Sequence, residues 1–273
     1  MSYATLAVST PAGSPHVAVV HLNRPRQLNT MTDQFFSDVH ACFTALSANP
    51  DIRVIVLASA SEKIFTAGLD LKAVQGSLMP RDDPARTGVM LMDLIRRWQN
   101  ALSCLETCRV PVIAAIHGAC IGGGVDLVTA ADIRVCSEQS WFCVKEVDLA
   151  MAADIGTLQR LPKVVGNQSI VREWCYTGRN VSATEALAAG LVSHVAKDRR
   201  LCCYALDLAN TIASKSPVAI NGTKASLVYS RDHSVDDSLK QIAMWNSSQL
   251  QAGDVMEAAA AILSKTTPKF PKL

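Results

Sequence analysis

PVIAAIHGACIGGGVDL, residues 111–127, is the stretch whose reading decides the fold. Its first half is an apolar run with β-branched residues, opened by Pro111, and reads as a buried strand. Its second half carries Gly122, Gly123 and Gly124 into what reads as a helix start. Consecutive glycines cost conformational entropy, so they need a reason. At a helix start they leave backbone N–H groups free to point at an anionic oxygen. The spacing is neither G-x-G-x-x-G nor a Walker A, and no Gly-Lys-Ser/Thr follows, which argues against phosphate cradles of those kinds. His117 has no Ser or Cys nucleophile motif to serve, so it reads as a structural histidine at a strand end.

The flanking sequence alternates in the manner of an α/β protein. VAVVHL, residues 17–22, reads as a strand ending at the turn-like Asn23-Arg24-Pro25. A helix should follow with Thr32 as N-cap and Phe35, Phe36, Val39, Cys42, Phe43 and Leu46 on one apolar face. Asn49-Pro50-Asp51 breaks it, and IRVIVLA, residues 52–58, reads as a strand covered on both faces. A second glycine-bearing turn comes next, Phe65-Thr66-Ala67-Gly68-Leu69-Asp70-Leu71, where a ligand could approach the backbone closely. Alone, it reads as an ordinary strand-to-helix turn. Residues 75–86 read as a mobile loop and 88–107 as a long amphipathic helix. Shorter strands are expected at 133–136 and 142–144. Beyond Gly156 the pattern is mostly helical, and helices are expected at 201–214, 217–228, 235–250 and 254–264. This layout gives a mixed core over residues 1–200 and a helical region over 201–273 that serves oligomerisation.

Composition narrows the function classes. Of the 273 residues, 49% are hydrophobic and 18% charged, as in a globular protein and unlike a disordered one. Twenty-six basic side chains against 24 acidic leave a net charge of +2, which gives no field for nucleic acid or anionic membrane. The most apolar long uncharged stretch, residues 110–125, falls short of the ~20 residues a spanning helix needs. The N-terminal residues show no signal-peptide or transit pattern. The nine cysteines form no CxxC pair or Cys/His cluster, so they read as small buried hydrophobes in a reducing compartment, and no metal site is expected.

Three carboxylates keep unusually apolar company: Asp126 in GGGVDLV, Glu146 in FCVKEVDLAM and Asp154 in AMAADIGTL. Burying an acid is expensive unless it is paired or useful. Burial also raises its pKa, which suits it to moving protons near neutrality. Each acid alone reads as solvent-facing or capping, and Asp154 stands where a helix N-cap would. Combined with two glycine-rich turns, they point to a catalytic site.

These residues carry a resemblance. Leu22-Asn23-Arg24-Pro25 with Leu28-Asn29, Phe65-x-Ala67-Gly68-x-Asp70-Leu71, Pro111 through Gly118, and Gly122-Gly123-Gly124-x-Asp126-Leu127 occur in order. Ala131-Asp132-Ile133-Arg134 and Thr184-x-Ala186-x-x-x-Gly190-Leu191-Val192 follow. The set is similar to the crotonase superfamily, the enoyl-CoA hydratase/isomerase fold, across most of the chain. The resemblance implies a spiral of repeated ββα units, a helical C-terminal part, and trimers or dimers of trimers. It implies an acyl-CoA substrate whose thioester oxygen is held by the N–H groups of Leu69 and Gly123; one such donor supplies typically ~3 kcal/mol. Ala67, Gly68, Leu69, Asp70, Leu71 and Lys72 would line the coenzyme A channel with Gly124 beside it. Arg26 and Lys72 would neighbour its phosphates. Coenzyme A is part of the substrate, so no separate cofactor is expected.

Within the superfamily, a typical hydratase uses glutamates at the positions of Asp126 and Glu146. The trio Asp126, Glu146 and Asp154 instead resembles the dienoyl-CoA isomerases, which convert a 3,5-diene into a 2,4-diene. That conversion moves a proton from C2 to C6, too far for one carboxylate to serve both ends easily. By superfamily analogy Glu146 falls near C2, Asp154 near C6, and Asp126 polarises the site; the reverse assignment of the first two stays open. The alternatives are an enoyl-CoA hydratase, a delta-3–delta-2 enoyl-CoA isomerase, and a non-catalytic or RNA-binding member. The last wants a lysine-rich helix, where residues 88–107 offer only Arg96 and Arg97. Pro271-Lys272-Leu273 resembles a peroxisomal tripeptide, so a peroxisome-like organelle is expected, with mitochondrion or cytoplasm as alternatives.

Overall fold

The structure is a computed structural model and describes residues 2–78 and 83–273. An antiparallel pair opens the chain, β1 (Leu6–Ser9) with β2 (Val17–Leu22). α1 (Asp33–Ala48) follows, and the Thr32 hydroxyl caps it by accepting the Phe35 N–H at 3.3 Å. Three units then each supply two strands and their helices. The first holds β3 (Val54–Ser59), β4 (Ile64–Thr66), α2 (Leu71–Leu78) and α3 (Pro84–Thr107). The second holds β5 (Val112–Ile116), β6 (Ala119–Ile121) and α4 (Gly123–Thr129). The third holds β7 (Ile133–Ser137), β8 (Trp141–Cys143), α5 (Thr157–Val164) and α6 (Gln168–Thr177). β9 (Val181–Ser182), α7 (Ala183–Ala189) and β10 (His194–Ala196) close the mixed part. The helices α8 (Leu201–Ala213), α9 (Pro217–Tyr229), α10 (Val235–Gln249) and α11 (Gly253–Ser264) end the chain.

The first strand of each unit joins a six-stranded sheet ordered β1-β2-β3-β5-β7-β10, and the second joins a four-stranded sheet ordered β4-β6-β8-β9. The chain thus advances one strand in each sheet per turn, which makes it a spiral of ββα units. All pairings are parallel except β1 with β2 and β8 with β9. Parallel strands covered on both faces read as unbroken apolar runs, and β3 and β5 do so. Ile55, Leu57, Val112, Ala114 and Ile116 face one core with α1 and α3, while Val54, Val56, Ala58, Ile113 and Ala115 face a second. Leu201, Ala205, Ala209 and Ala213 of α8 close that second core. A helix starts at Leu201, where the periodicity predicts one, but it is part of the sheet's cover, with α9 to α11 following it.

Two local expectations are corrected. The segment 75–86 is not one loop: α2 runs to Leu78, and α3 starts at Pro84 rather than at 88; residues 79–82 lie outside the described residues. The early start has a local cause, because the Asp83 carboxylate accepts the Ala85 and Arg86 N–H groups and Pro84 fits the first helical position. The nine cysteines are all free, and six are buried, but Cys202 and Cys203 are exposed on the outer face of α8.

α9 is fastened by a buried cation. Lys224, 6% exposed, donates to the Leu105 carbonyl (2.9 Å), the Val110 carbonyl (3.0 Å) and Asp132 Oδ2 (2.7 Å). The same Asp132 oxygen accepts the Val112 N–H at 2.7 Å, so the start of β5 and α9 share one carboxylate. At the chain's end, Arg53 donates to the Phe270 carbonyl at 2.7 Å and Lys272 pairs with Asp51. No helix among the described residues is long and apolar enough to cross a membrane. Removing one partner of a buried ion pair strands the other, which typically costs 3–5 kcal/mol. Lys224→Ala should therefore lower the unfolding free energy by about 3–5 kcal/mol in urea titrations at pH 7; a loss under 1 kcal/mol would contradict this account of α9.

Candidate active site

The site is built where turns of separate sequence origin lock together. Leu28 and Asn29 are both left-handed, with φ 52° and 53°. Asn29 is buried: its Oδ1 accepts the Arg24 N–H (2.8 Å), and its Nδ2 donates to Ser59 Oγ (2.7 Å) and the Phe65 carbonyl (3.0 Å). Thr66 Oγ1 donates to the Asn29 carbonyl at 2.7 Å and accepts the Gly68 N–H at 3.1 Å. Met31 donates its N–H to the Gly68 carbonyl and accepts the Asp70 N–H, both at 2.8 Å. In such a parallel bridge the bonds use the groups on either side of Leu69, so Leu69 turns its own N–H the other way.

The triple-glycine turn meets that N–H. Gly122 donates to the Cys143 carbonyl at 2.8 Å, and α4 begins at Gly123, whose N–H has no acceptor within its helix. Gly68 has φ +82°, and a Cβ there would lie 2.6 Å from the Ile121 carbonyl oxygen and 3.3 Å from the Gly123 nitrogen. Only glycine allows so close an approach. A Cβ on Gly123 would stand 3.9 Å from the Leu69 nitrogen and 3.7 Å from Ile155 Cδ1. Two free donors are thus neighbours, an arrangement suited to an oxygen that gains negative charge.

The acids gather around the same turn. Asp126, in the first turn of α4, has no solvent exposure. Its Oδ1 accepts the Thr157 N–H at 2.5 Å and its Oδ2 has no partner. Burial pushes its carboxyl up to about 6, against the hydrogen bond from the Thr157 N–H that holds it down. Glu146 follows β8 and leans on the triple-glycine turn: a Cβ on Gly122 would lie 3.2 Å from Glu146 Oε1. Burial first, then the charge of Asp126, pushes Glu146 up to about 7, and its Oε2 is also buried without a partner. Asp154 is open to solvent in the single chain, yet partial desolvation raises its carboxyl too, and its charge is felt by both Asp126 and Glu146. The three acids are therefore near enough for their charges to act on one another.

The structure sorts the other expected residues. Asp70 is a fastening: Thr30 Oγ1 donates to it at 2.9 Å, Ala73 N–H at 3.1 Å and Arg24 at 3.3 Å. These bonds outweigh burial and hold its carboxyl below the ordinary carboxylate value. Ala67 donates its N–H to the Leu28 carbonyl at 3.0 Å, and Leu71 begins α2 half-exposed. Arg26 and Lys72 are exposed. Gly124 faces into the protein, where a Cβ would lie 2.5 Å from Thr66 Cγ2 and 3.1 Å from Cys120 Sγ. His117 Nε2 lies 2.6 Å from the Ser61 carbonyl, a structural contact. Asp154 does not cap α5. The N-cap is Gly156, which has no side chain to offer, and Asp126 takes the Thr157 N–H from across the fold. Thr157 was missed in the sequence because that partner lies 31 residues away; its Oγ1 is a third buried polar atom without a partner.

A family model described as enoyl-CoA hydratase/isomerase matches residues 13–272. The chain belongs to that family. It is 47% identical over 273 residues to the rat protein named Delta(3,5)-Delta(2,4)-dienoyl-CoA isomerase, mitochondrial, covering 98% of this chain and 83% of the relative. It is 43% identical to the Arabidopsis thaliana protein named Delta(3,5)-Delta(2,4)-dienoyl-CoA isomerase, peroxisomal, covering 100% and 99%. Among solved structures, an enoyl-CoA hydratase from Bacillus anthracis superposes with a TM-score of 0.89 at 30% identity, covering 97% of this chain and 98% of that one. As a member of the enoyl-CoA hydratase/isomerase family, the protein carries the crotonase spiral expected from its motifs. The electrostatic coupling in the site gives a direct test. In Asp126→Asn, the Glu146 carboxyl followed by carbon NMR should titrate below its value of about 7 but above an exposed glutamate, since burial remains. An unchanged midpoint would mean the two acids do not face each other.

Proposed function

We propose that the protein isomerises 3,5-dienoyl-CoA to 2,4-dienoyl-CoA in the β-oxidation of unsaturated fatty acids. The observation that carries the reading is Asp154: a third acid whose charge reaches both Asp126 and Glu146, on a chain 43–49% identical to dienoyl-CoA isomerases. The thioester oxygen sits between the Leu69 and Gly123 N–H groups, where charge develops when C2 loses its proton. Glu146 leans on Gly122, beside the Gly123 donor, which supports placing it at C2. Asp154, on the segment before α5, returns a proton at C6. Asp126 stays between them, held by Thr157, and polarises the site. The reaction moves one proton and shifts the conjugated electrons, so it needs no separate cofactor. Gly68, Leu69 and Leu71 border the thioester end, and the exposed Arg26 and Lys72 are available to coenzyme A phosphates.

The hydratase reading has one observation in its favour. Asp126 Oδ2 and Glu146 Oε2 are both without partners and could share a water. It leaves Asp154 without a task. For assembly, α10 has no buried residue, and Leu239, Met244, Met256, Ile262 and Leu263 are exposed on α10 and α11. Apolar surface on this scale marks an interaction face, and trimers or dimers of trimers formed through it are part of the proposal. The rat relative is named mitochondrial and the Arabidopsis one peroxisomal, so an organelle is proposed for this chain as well.

Two experiments test the reading. A general acid or base contributes about 100- to 10,000-fold, so Glu146→Gln and Asp154→Asn should each lose isomerisation in that range while remaining folded. Asp154→Asn should still exchange the C2 proton with solvent deuterium, and Glu146→Gln should not. Full isomerase activity in Asp154→Asn would return the protein to the hydratase reading. A valine at Gly123 would project over the Leu69 N–H, so Gly123→Val should lose about 100- to 1,000-fold in kcat with its fold intact by circular dichroism. Near-normal turnover in that variant would move the oxyanion site elsewhere.

A further inference from the structure

α3 carries a polar stripe that the proposed reaction does not use. Gln99, Ser103 and Glu106 stand at i, i+4 and i+7, on one face of a helix whose neighbouring face buries Leu94, Trp98, Leu102 and Leu105. All three polar residues are half-buried and border a cleft of about 350 Å³ with Ile155, Gly156 and Arg160. Gln99 Nε2 donates to the Asp154 carbonyl at 2.6 Å. Arg160, from the second turn of α5, donates from Nη2 to Ser103 Oγ (2.8 Å) and from Nε to Glu106 Oε2 (3.1 Å). Glu106 is also paired with Arg231, which follows α9, so its carboxylate is anchored from both sides.

The remaining arm of Arg160 reaches the acid loop itself. Its Nη1 occupies the place a Cβ on Gly156 would take, and Gly156 has φ +144°, which an L side chain rarely adopts. The segment Asp154-Ile155-Gly156-Thr157 is thus hydrogen-bonded at its first residue by Gln99, and the Arg160 guanidinium packs against its third. Its two ends are the Asp154 carboxyl and the Thr157 N–H that holds Asp126. Among the described residues no other hydrogen bond from a neighbouring element holds the Asp154 backbone: its side chain is open to solvent, and the loop before it passes through Ala150, left-handed at φ 58°.

We propose that Gln99 and Arg160 are positioning residues of the isomerase, a clamp from α3 that sets where the Asp154 carboxyl stands and keeps Thr157 on Asp126. Neither touches the reacting carbons. The inference rests on the dienoyl-CoA reading, and it adds a division of labour: the clamp serves the C6 station and makes no hydrogen bond to the C2 station, Glu146, which leans on Gly122. A loosened acid is a mispositioned acid, and displacements near 1 Å can cost about 100-fold.

Gln99→Met keeps the bulk and removes the donor, and Gln99→Glu keeps the shape but presents a carboxylate to the Asp154 carbonyl. Both should lower kcat for isomerisation by about 10- to 100-fold with KM within about twofold of wild type. Both should exchange the C2 proton with deuterium at the wild-type rate. Arg160→Met should do the same and also weaken hydrogen-exchange protection of the Thr157 amide by at least tenfold, with Arg160→Lys retaining part of both. Wild-type kcat in Gln99→Met and Gln99→Glu, equal losses of exchange and isomerisation, or an unchanged Thr157 amide in Arg160→Met would each overturn the clamp. Wild-type protein that hydrates a 2-enoyl-CoA but leaves a 3,5-dienoyl-CoA unchanged would instead remove the functional reading, and the clamp's role at C6 with it; the amide measurement still reports whether Arg160 holds Thr157.

Discussion

Asp126 has no exposure to water, and the backbone N–H of Thr157, 31 residues away, is its hydrogen-bond donor among the described residues. An isolated carboxylate in such a place is expensive, and the cost appears as a pKa raised to about 6. The contact binds two sequence regions that have no local reason to meet. It starts α5, whose Gly156 N-cap brings no side chain, and it fixes the peptide that carries Asp154. The triple-glycine turn, Glu146 and the acid loop all take their positions from the elements joined at this point.

Around that contact the protein satisfies the turns that frame the site and leaves carboxylate and hydroxyl oxygens within it without partners. Asn29, Thr66, Met31 and Asp70 are saturated, and they hold the turn at Gly68 rigidly against Ile121. Asp126 Oδ2, Glu146 Oε2 and Thr157 Oγ1 are buried and open. Buried polar atoms without partners are rare in folded proteins and call for an explanation. Here Thr157 adjoins Asp126, and Glu146 adjoins the triple-glycine turn that carries one of the two free N–H groups, an arrangement suited to a charged transition state. The C-terminal helices do separate work: α8 finishes the sheet's cover, Lys224 moors α9 to β5, and α10 and α11 present apolar side chains outward.

Much of this was legible in the amino-acid sequence because the signals are local. The unbroken apolar runs of β3 and β5 announced strands covered on both faces, and Thr32 announced the start of α1. The ordered glycine and Asn-Arg-Pro motifs pointed to the family, and the acids in apolar surroundings pointed to the site. Asp83 and Pro84 were equally local, yet the glycine and prolines nearby masked the earlier start of α3. Asp70 and Gly124 belonged to the right motifs, but a motif does not say which way a side chain faces. One proved to be a fastening for Arg24 and Thr30, and the other packs inward on Thr66 and Cys120.

The sequence by itself determined the α/β class, the principal strands and helices, the family and the three acids as candidates, since each depends on periodicity or on residues close together in the chain. Only the tertiary structure decided the surroundings of those acids. Thr157 reaches Asp126 across 31 positions and Gln99 reaches Asp154 across 55, and no local pattern encodes a hydrogen bond over such a distance. The raised pKa values likewise come from burial by elements brought together in space and from neighbouring charges on separate segments. Dielectric surroundings and mutual distance are properties of the folded chain, so the chemistry of these carboxyls becomes fixed only when the spiral closes around them.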